Sequence, residues 1–151
     1  MLDGAIGAYA ARGGDASQLA VLEAPGAFEL VSIARAAAFS GMYASVVCLG
    51  CVIKGETEHD RHIGNAVGNG LAEISVQTGV PVAFGVLTTN TNEQALARAG
   101  GDKGNKGAEA MDAALDAADA IAAVVWAKNT GTLGVRYTPG LKPNDKLANG
   151  K

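Results

Sequence analysis

Tyr43–Ile53 reads YASVVCLGCVI, a nearly unbroken apolar run. A strand with one wet face would alternate apolar and polar residues. A run apolar at both parities is the pattern of a strand buried on both faces of a parallel sheet. Downstream, the loop Lys54–Glu58 leaves the carboxyl end of this strand, and Thr57 is placed to cap a helix running to about Thr78. That helix carries Ile63, Val67, Leu71 and Ile74 on one stripe, with Asn65, Asn69 and Glu73 outward. Pro81–Thr88 (PVAFGVLT) is a further buried strand. Thr91 and Gln94 form a capping-box pair opening a short helix through Ala99, which Gly100-Gly101 stops. Asn105–Trp126 is a long amphipathic helix with Met111, Leu115, Ala118 and Val125 on its apolar side. Glu109, Asp112, Asp116 and Asp119 form its solvated face.

Upstream, Phe28–Phe39 carries Leu30, Ile33, Ala34 and Ala37 at helical spacing, and Gln18–Ala24 reads as a short strand ended by Pro25-Gly26. Met1–Arg12 is helical, stopped by Gly13-Gly14. Strands alternating with helices imply an α/β sandwich whose parallel sheet is covered on both faces. Ligands of such sheets gather at the carboxyl ends of the strands. Here the converging loops are 24–29, 53–59 and 88–92.

Composition narrows the class. The chain has 151 residues, enough for one domain with a core that needs no disulfide or metal. Its 12 basic and 15 acidic residues leave a net charge of −3, which speaks against a nucleic-acid binder. No apolar run is long enough to span a bilayer and no basic-then-apolar leader opens the chain, so a cytoplasmic protein is expected. Cys48 and Cys51 match CxxC but lie within a strand, where positions three apart face opposite ways. They are expected to be buried core cysteines and not a metal or disulfide pair.

Several short stretches carry chemistry. Lys54-Gly55-Glu56-Thr57-Glu58-His59 puts a glycine loop, a hydroxyl and an imidazole at a strand end and a helix start. Free amides and the helix dipole there favour an anion such as phosphate, and a histidine near neutral pH can shuttle protons. Its ordinary alternative is a capped surface helix with a solvated histidine. His59 and His62, three apart, share a helix face as zinc ligands would, although HExxH spacing is absent. Arg98–Gly107 gathers Arg98, Lys103 and Lys106 around a glycine-rich junction, a phosphate-binding composition or simply a solvated turn. Phe28 beside Glu29 offers an aromatic face and a carboxylate for a planar ring and a polyol; its ordinary reading is a core phenylalanine before a helix N-terminal acid.

Together, APGAFEL (24–30), GCVIKGETEH (50–59), VPVAFGVLTTNTNEQALARAGG (80–101) and DKGNKGAEA (102–110) resemble the lumazine synthase family in sequence and in order, across roughly Leu2–Ala123. The resemblance implies a flavodoxin-like three-layer α/β/α sandwich with a four-stranded parallel sheet, assembled as pentamers and often as sixty-subunit icosahedral shells. It implies condensation of 5-amino-6-(D-ribitylamino)uracil with 3,4-dihydroxy-2-butanone 4-phosphate in riboflavin biosynthesis, without a cofactor or metal, at sites between adjacent subunits. Phe28 would stack on the pyrimidine, Ala27 and Glu29 would hold the ribityl chain, and the backbone of Val52 and Ile53 would read the ring's amide edge. Gly55, Glu56 and Thr57 would line the phosphate site, with His59 transferring protons. Arg98 of an adjacent subunit would close the phosphate site, Phe84 would complete the ring pocket across the interface, and Lys106 would lie near the substrates. The short loop Gly100–Gly107 resembles that of shell-forming members, so a shell is expected.

The resemblance has departures. The position after His59, usually aromatic in the family, is Asp60. The family's first sheet strand and its following FN motif would precede Leu2 and are absent from this sequence. Residues 1–126 therefore read as the synthase-like domain and 127–151 as a tail. Within the tail, Thr132–Tyr137 (TLGVRY) alternates suitably for a sheet strand, as a circular permutant would require. A truncated chain or a diverged tail are the other readings. The alternative to an active synthase is a shell or scaffold protein of the same family with weak or no catalysis.

Overall fold

The computed structural model describes residues 1–131. Its elements are α1 (Leu2–Ala11), a single 3-10 turn (Ala16–Gln18), α2 (Leu30–Phe39), β1 (Val46–Ile53), α3 (His59–Thr78), β2 (Val82–Thr89), α4 (Asn92–Arg98), a small antiparallel pair β3 (Ala99–Gly101) and β4 (Gly104–Asn105), and α5 (Lys106–Thr130). β1 and β2 pair in parallel, with Val46 opposite Val82 and Ile53 opposite Thr89. The α/β sandwich expected from the alternation of elements is the architecture observed.

Parity along the strands sorts the layers, because successive side chains leave a strand on opposite faces. The even positions Cys48 and Val86 join Ala34 and Ala38 of α2 and Val67, Leu71 and Ile74 of α3 in the main core. The same face brings α3 close enough that a methyl at Gly64 would lie 3.1 Å from Thr88, and one at Gly68 would lie 3.9 Å from the Phe84 ring. The odd positions meet α5: a methyl at Gly85 would lie 3.0 Å from the Cβ of Ala110 and 2.6 Å from Leu49. α1 lies along α5 on this second face. Gly107 is required there, since a Cβ would sit 2.1 Å from the carbonyl oxygen of Met1.

Several expectations need correction. Gln18–Ala24 is not a strand: Ala16–Gln18 forms the 3-10 turn and the chain then runs extended with Val21 and Leu22 exposed, having no described strand to pair with. Thr57 is not the N-cap of α3. Glu58 holds that position without a side-chain bond, and the Thr57 hydroxyl instead accepts from the His59 amide at 3.4 Å. The helix expected from Phe28 begins at Leu30, and α5 extends past Trp126 to Thr130, where Gly131 closes it at φ +67°. Val125 is half exposed and not on a buried stripe. Cys51 is exposed while Cys48 is buried. The acidic face of α5 is not merely solvated: Arg12, at the end of α1, bonds Asp116 at 2.8 Å and Asp119 at 3.4 Å, with Asp112 4.0 Å away. Residues 132–137, read as a candidate strand, lie outside the described residues.

Thr91 does cap α4, its hydroxyl accepting from the Gln94 amide at 3.3 Å. The reciprocal bond differs from a standard capping box: the Gln94 side-chain oxygen accepts from Asn90 and not from Thr91. Asn105 caps α5 by accepting from the amides of Gly107 and Ala108.

Candidate active site

The carboxyl ends of β1 and β2 are locked in register up to the loops they release, since the Lys54 amide donates to the Thr89 carbonyl at 2.8 Å. Beyond that bond the chain is exposed through Gly55, Glu56, Thr57, Glu58 and His59. α3 starts at His59, so the free amides of its first turn and the positive end of its dipole point at this loop. An exposed strand-end loop that runs into the start of a helix at His59 therefore stands where the sequence placed one.

The 25–29 turn approaches the same strand from α2. The carbonyls of Ala27, Phe28 and Glu29 accept from the amides of Leu30, Val31 and Ile33, which winds the turn into the helix. Leu30 packs over Gly50, 3.3 Å from where a Cβ would be, so the turn is anchored above β1. The Glu29 carboxylate folds back over Gly26, at a spot a Cβ would approach to 2.8 Å. Phe28 is 57% exposed, so its ring presents a free face instead of filling core. Ala27 is half-buried, and Val52 and Ile53 end β1 beside the loop, Ile53 exposed. Among the described residues the edge of β1 away from β2 carries no paired strand, which leaves the outer backbone groups of Val52 and Ile53 available.

The remaining candidates lie elsewhere on the chain. Phe84 is 43% exposed on the α3 face of β2. It lines a cavity of about 660 Å³ with Lys54, Asp60, Asn65, Asn69 and Asn90 among others, and none of Ala27, Phe28 or Glu29. Arg98, exposed at the end of α4, donates to the Gln94 carbonyl at 3.1 Å. Lys106, in the first turn of α5, is ion-paired with Glu109. Within a single chain the 27–29 turn is thus anchored through Leu30 over Gly50, in the carboxyl half of the strand that ends at Val52 and Ile53, with the 55–59 loop following it. Phe84, Arg98 and Lys106 stand apart.

The polar lining of the Phe84 cavity was not anticipated. Asn65 and Asn69 follow Gly64 and Gly68 on α3, and the two glycines four apart leave the helix face low enough for a recess beside the ring. That glycine spacing was the available signal. A carboxylate oxygen of Asp60, shielded from solvent, has no hydrogen-bond partner among the described residues. No group of three or more His, Cys, Asp or Glu side chains placed to hold a metal occurs among them either. No described helix is long and apolar enough to cross a membrane.

The sequence matches the family model for 6,7-dimethyl-8-ribityllumazine synthase over residues 1–122. A 6,7-dimethyl-8-ribityllumazine synthase of Deinococcus deserti is 50% identical over 116 residues, covering 77% of this chain and 74% of its own length. One from Syntrophus aciditrophicus is 45% identical over 121 residues, 80% of this chain and 79% of its own. A 6,7-dimethyl-8-ribityllumazine synthase 1 of Caulobacter vibrioides is 50% identical over 115 residues, covering 76% and 75%. The match to the family model over most of the chain, with relatives 45–50% identical, settles the affiliation: this chain belongs to the 6,7-dimethyl-8-ribityllumazine synthase family.

Proposed function

We propose that the chain is a working synthase, a transferase of riboflavin biosynthesis that joins 5-amino-6-(D-ribitylamino)uracil to 3,4-dihydroxy-2-butanone 4-phosphate. The observation that supports this reading is the packing of Leu30, which directly follows Phe28 and Glu29, over Gly50 in the carboxyl half of β1, the strand that the Gly55–His59 loop leaves. The exposed Phe28 ring takes the pyrimidine, Glu29 and Ala27 hold the ribityl hydroxyls, and the free backbone edge at Val52 and Ile53 reads the ring amides. Gly55, Glu56 and Thr57 hold the phosphate before the α3 N-terminus. The uracil's amine attacks the ketone and water leaves to give a Schiff base. Inorganic phosphate is then eliminated, and the ribitylamino nitrogen closes the ring with loss of a second water. His59 moves protons in these steps. Both substrates are reactive, so orientation supplies much of the acceleration. No cofactor enters the scheme.

Phe84 and Arg98 act from an adjacent copy, Phe84 covering the ring and Arg98 closing on the phosphate, with Lys106 near the substrates. The support is that the cavity lined by Phe84 contains none of residues 27–29 of its own chain. The working form is then a pentamer or a shell built from pentamers, in the cytoplasm, and mass photometry showing only monomers sinks that form.

The test of the reaction is lumazine formation from both substrates by the chain and by a His59→Ala, Arg98→Ala double variant. Product that falls at least 100-fold in the variant supports the assignment. Product at only the spontaneous rate in both identifies a shell-forming relative without efficient catalysis.

A further inference from the structure

Packing holds α4 only lightly: Ala95 is its one buried residue, and Leu96 is exposed. What fixes the helix is a chain of polar bonds at its start. Among the described residues Thr89, the last of β2, is the one polar residue that the fold buries. Thr88 meets Gly64 of α3, so by alternation the Thr89 side chain leaves β2 on the opposite face. Its hydroxyl donates to the Thr91 carbonyl at 3.1 Å. The Thr91 hydroxyl caps α4 through the Gln94 amide, and the Gln94 side-chain oxygen accepts from the Asn90 amide at 2.9 Å. Gln94 also ends the chain of bonds, because its carbonyl accepts from Nη1 of Arg98 at 3.1 Å and so folds the guanidinium along the helix.

Thr89 is thus held between two parts of the molecule. Its carbonyl accepts from the Lys54 amide at 2.8 Å, at the start of the 55–59 loop, while its hydroxyl anchors α4. The first bond runs between backbone groups and survives a change of side chain; the second does not. Valine in place of Thr89 keeps the shape but cannot donate, and a buried position has no water to take over the bond. The Thr91 carbonyl would still accept from the Ala95 amide at 3.2 Å, so the helix persists while its anchor is lost. Arg98 lies at the far end of α4, about 9 Å along its axis at 1.5 Å per residue. A small tilt at the start therefore displaces the guanidinium.

We propose that Thr89 is a positioning residue for Arg98: through Thr91 and Gln94, its buried hydroxyl sets where the guanidinium stands to close on phosphate. The inference rests on the reading that Arg98 serves the phosphate site of an adjacent copy. It is tested on the assembled full-length chain by calorimetric titration with inorganic phosphate, beside steady-state kinetics with both substrates. The variants are Thr89→Val, Thr89→Ser, Arg98→Ala and the Thr89→Val, Arg98→Ala pair. Gln94→Leu, at an exposed position, breaks a later link without touching the buried one.

Thr89→Val should weaken phosphate binding roughly ten-fold, since a bond to a charged group is at stake. The KM for the butanone phosphate should rise with it, while the KM for the uracil substrate stays within two-fold. Thr89→Ser, which keeps the hydroxyl, should restore both, and Gln94→Leu should weaken phosphate binding in the same direction. In an Arg98→Ala background Thr89→Val should add nothing, because the group it positions is gone. A general loosening of the fold would instead move both KM values and multiply with Arg98→Ala. Either of those results overturns the inference, as does phosphate affinity unchanged in Thr89→Val and Gln94→Leu, or a loss that Thr89→Ser shares. Phosphate affinity that is absent from the unaltered chain, or unmoved by Arg98→Ala, overturns the reading of Arg98, and the inference falls with it.

Discussion

Cys48 and Cys51 stand three residues apart on one strand and meet opposite environments. Cys48 points to the α2/α3 side, 4% exposed, among Ala34, Val67, Leu71 and Val86. Cys51 points to the α1/α5 side and is exposed into an open slot. One face of β1 is finished core. The other is finished only where β2 and α5 cover it, and the strand edge beyond is bare among the described residues. Stability in this fold is therefore expected to be concentrated on the α2/α3 side.

The largest effect should come from breaking the finished face. Leu71 is 1% exposed and is among the bulkiest fully buried side chains. Leu71→Ala removes its contacts and leaves a cavity between α3 and the sheet, costing about 3 kcal/mol. Leu115→Ala, on the slot wall and only half-buried, should cost about 1 kcal/mol or less, because the leucine is not fully withdrawn from water to begin with. Denaturant unfolding of both variants measures the contrast. Equal losses would mean that Leu115 is as fully withdrawn from water in solution as Leu71.

A smaller effect comes from the buried thiol of the finished face. Burial pushes the Cys48 thiol up to about 11 from its ordinary 9.0. The folded chain thus holds that proton more tightly than the unfolded one. This contribution is fully present below pH 9 and is lost as pH rises through 11, a loss on the order of 2 kcal/mol. Stability measured from pH 8 to pH 11 should fall more steeply in the unaltered chain than in Cys48→Ala, compared each with its own value at pH 8. Parallel curves would show that Cys48 is not desolvated.

The same contrast explains what could be read from the sequence. The finished face was legible, because Val67, Leu71 and Ile74 repeat at helical spacing and Tyr43–Ile53 is apolar at both parities. The slot side was read less well. Gln18–Ala24 has strand composition, but a strand is defined by its neighbour, and composition does not say whether one is present. Cys51 was expected to be buried for the same reason. At the site, the 55–59 loop and the exposed Phe28–Glu29 turn were visible as motifs, each weak alone and specific in order. The recess around Phe84 was missed, since Asn65 and Asn69 read as outward helix positions until Gly64 and Gly68 are seen to lower the surface beside them. The Arg12 contacts joined residues about a hundred positions apart, beyond any local pattern.

Those contacts give the smallest predicted effect and the one that tests how α1 is held against the slot. Asp112, Asp116 and Asp119 share one face of α5, and like charges at such spacings repel. Arg12 answers all three, and its guanidinium is held above its usual pKa chiefly by the hydrogen bond to Asp116, with the three carboxylate charges adding to it. Its side chain is 26% exposed and that of Asp116 27%, so water screens part of the attraction. Arg12→Ala should cost about 1 kcal/mol in low salt and less in 1 M salt. Adding Asp116→Asn to Arg12→Ala should recover part of the loss by removing the central repelling charge, in excess of what Asp116→Asn does alone. A loss independent of salt would mean that the arginine's aliphatic stem, packed along α5, holds α1 in place instead of its charge.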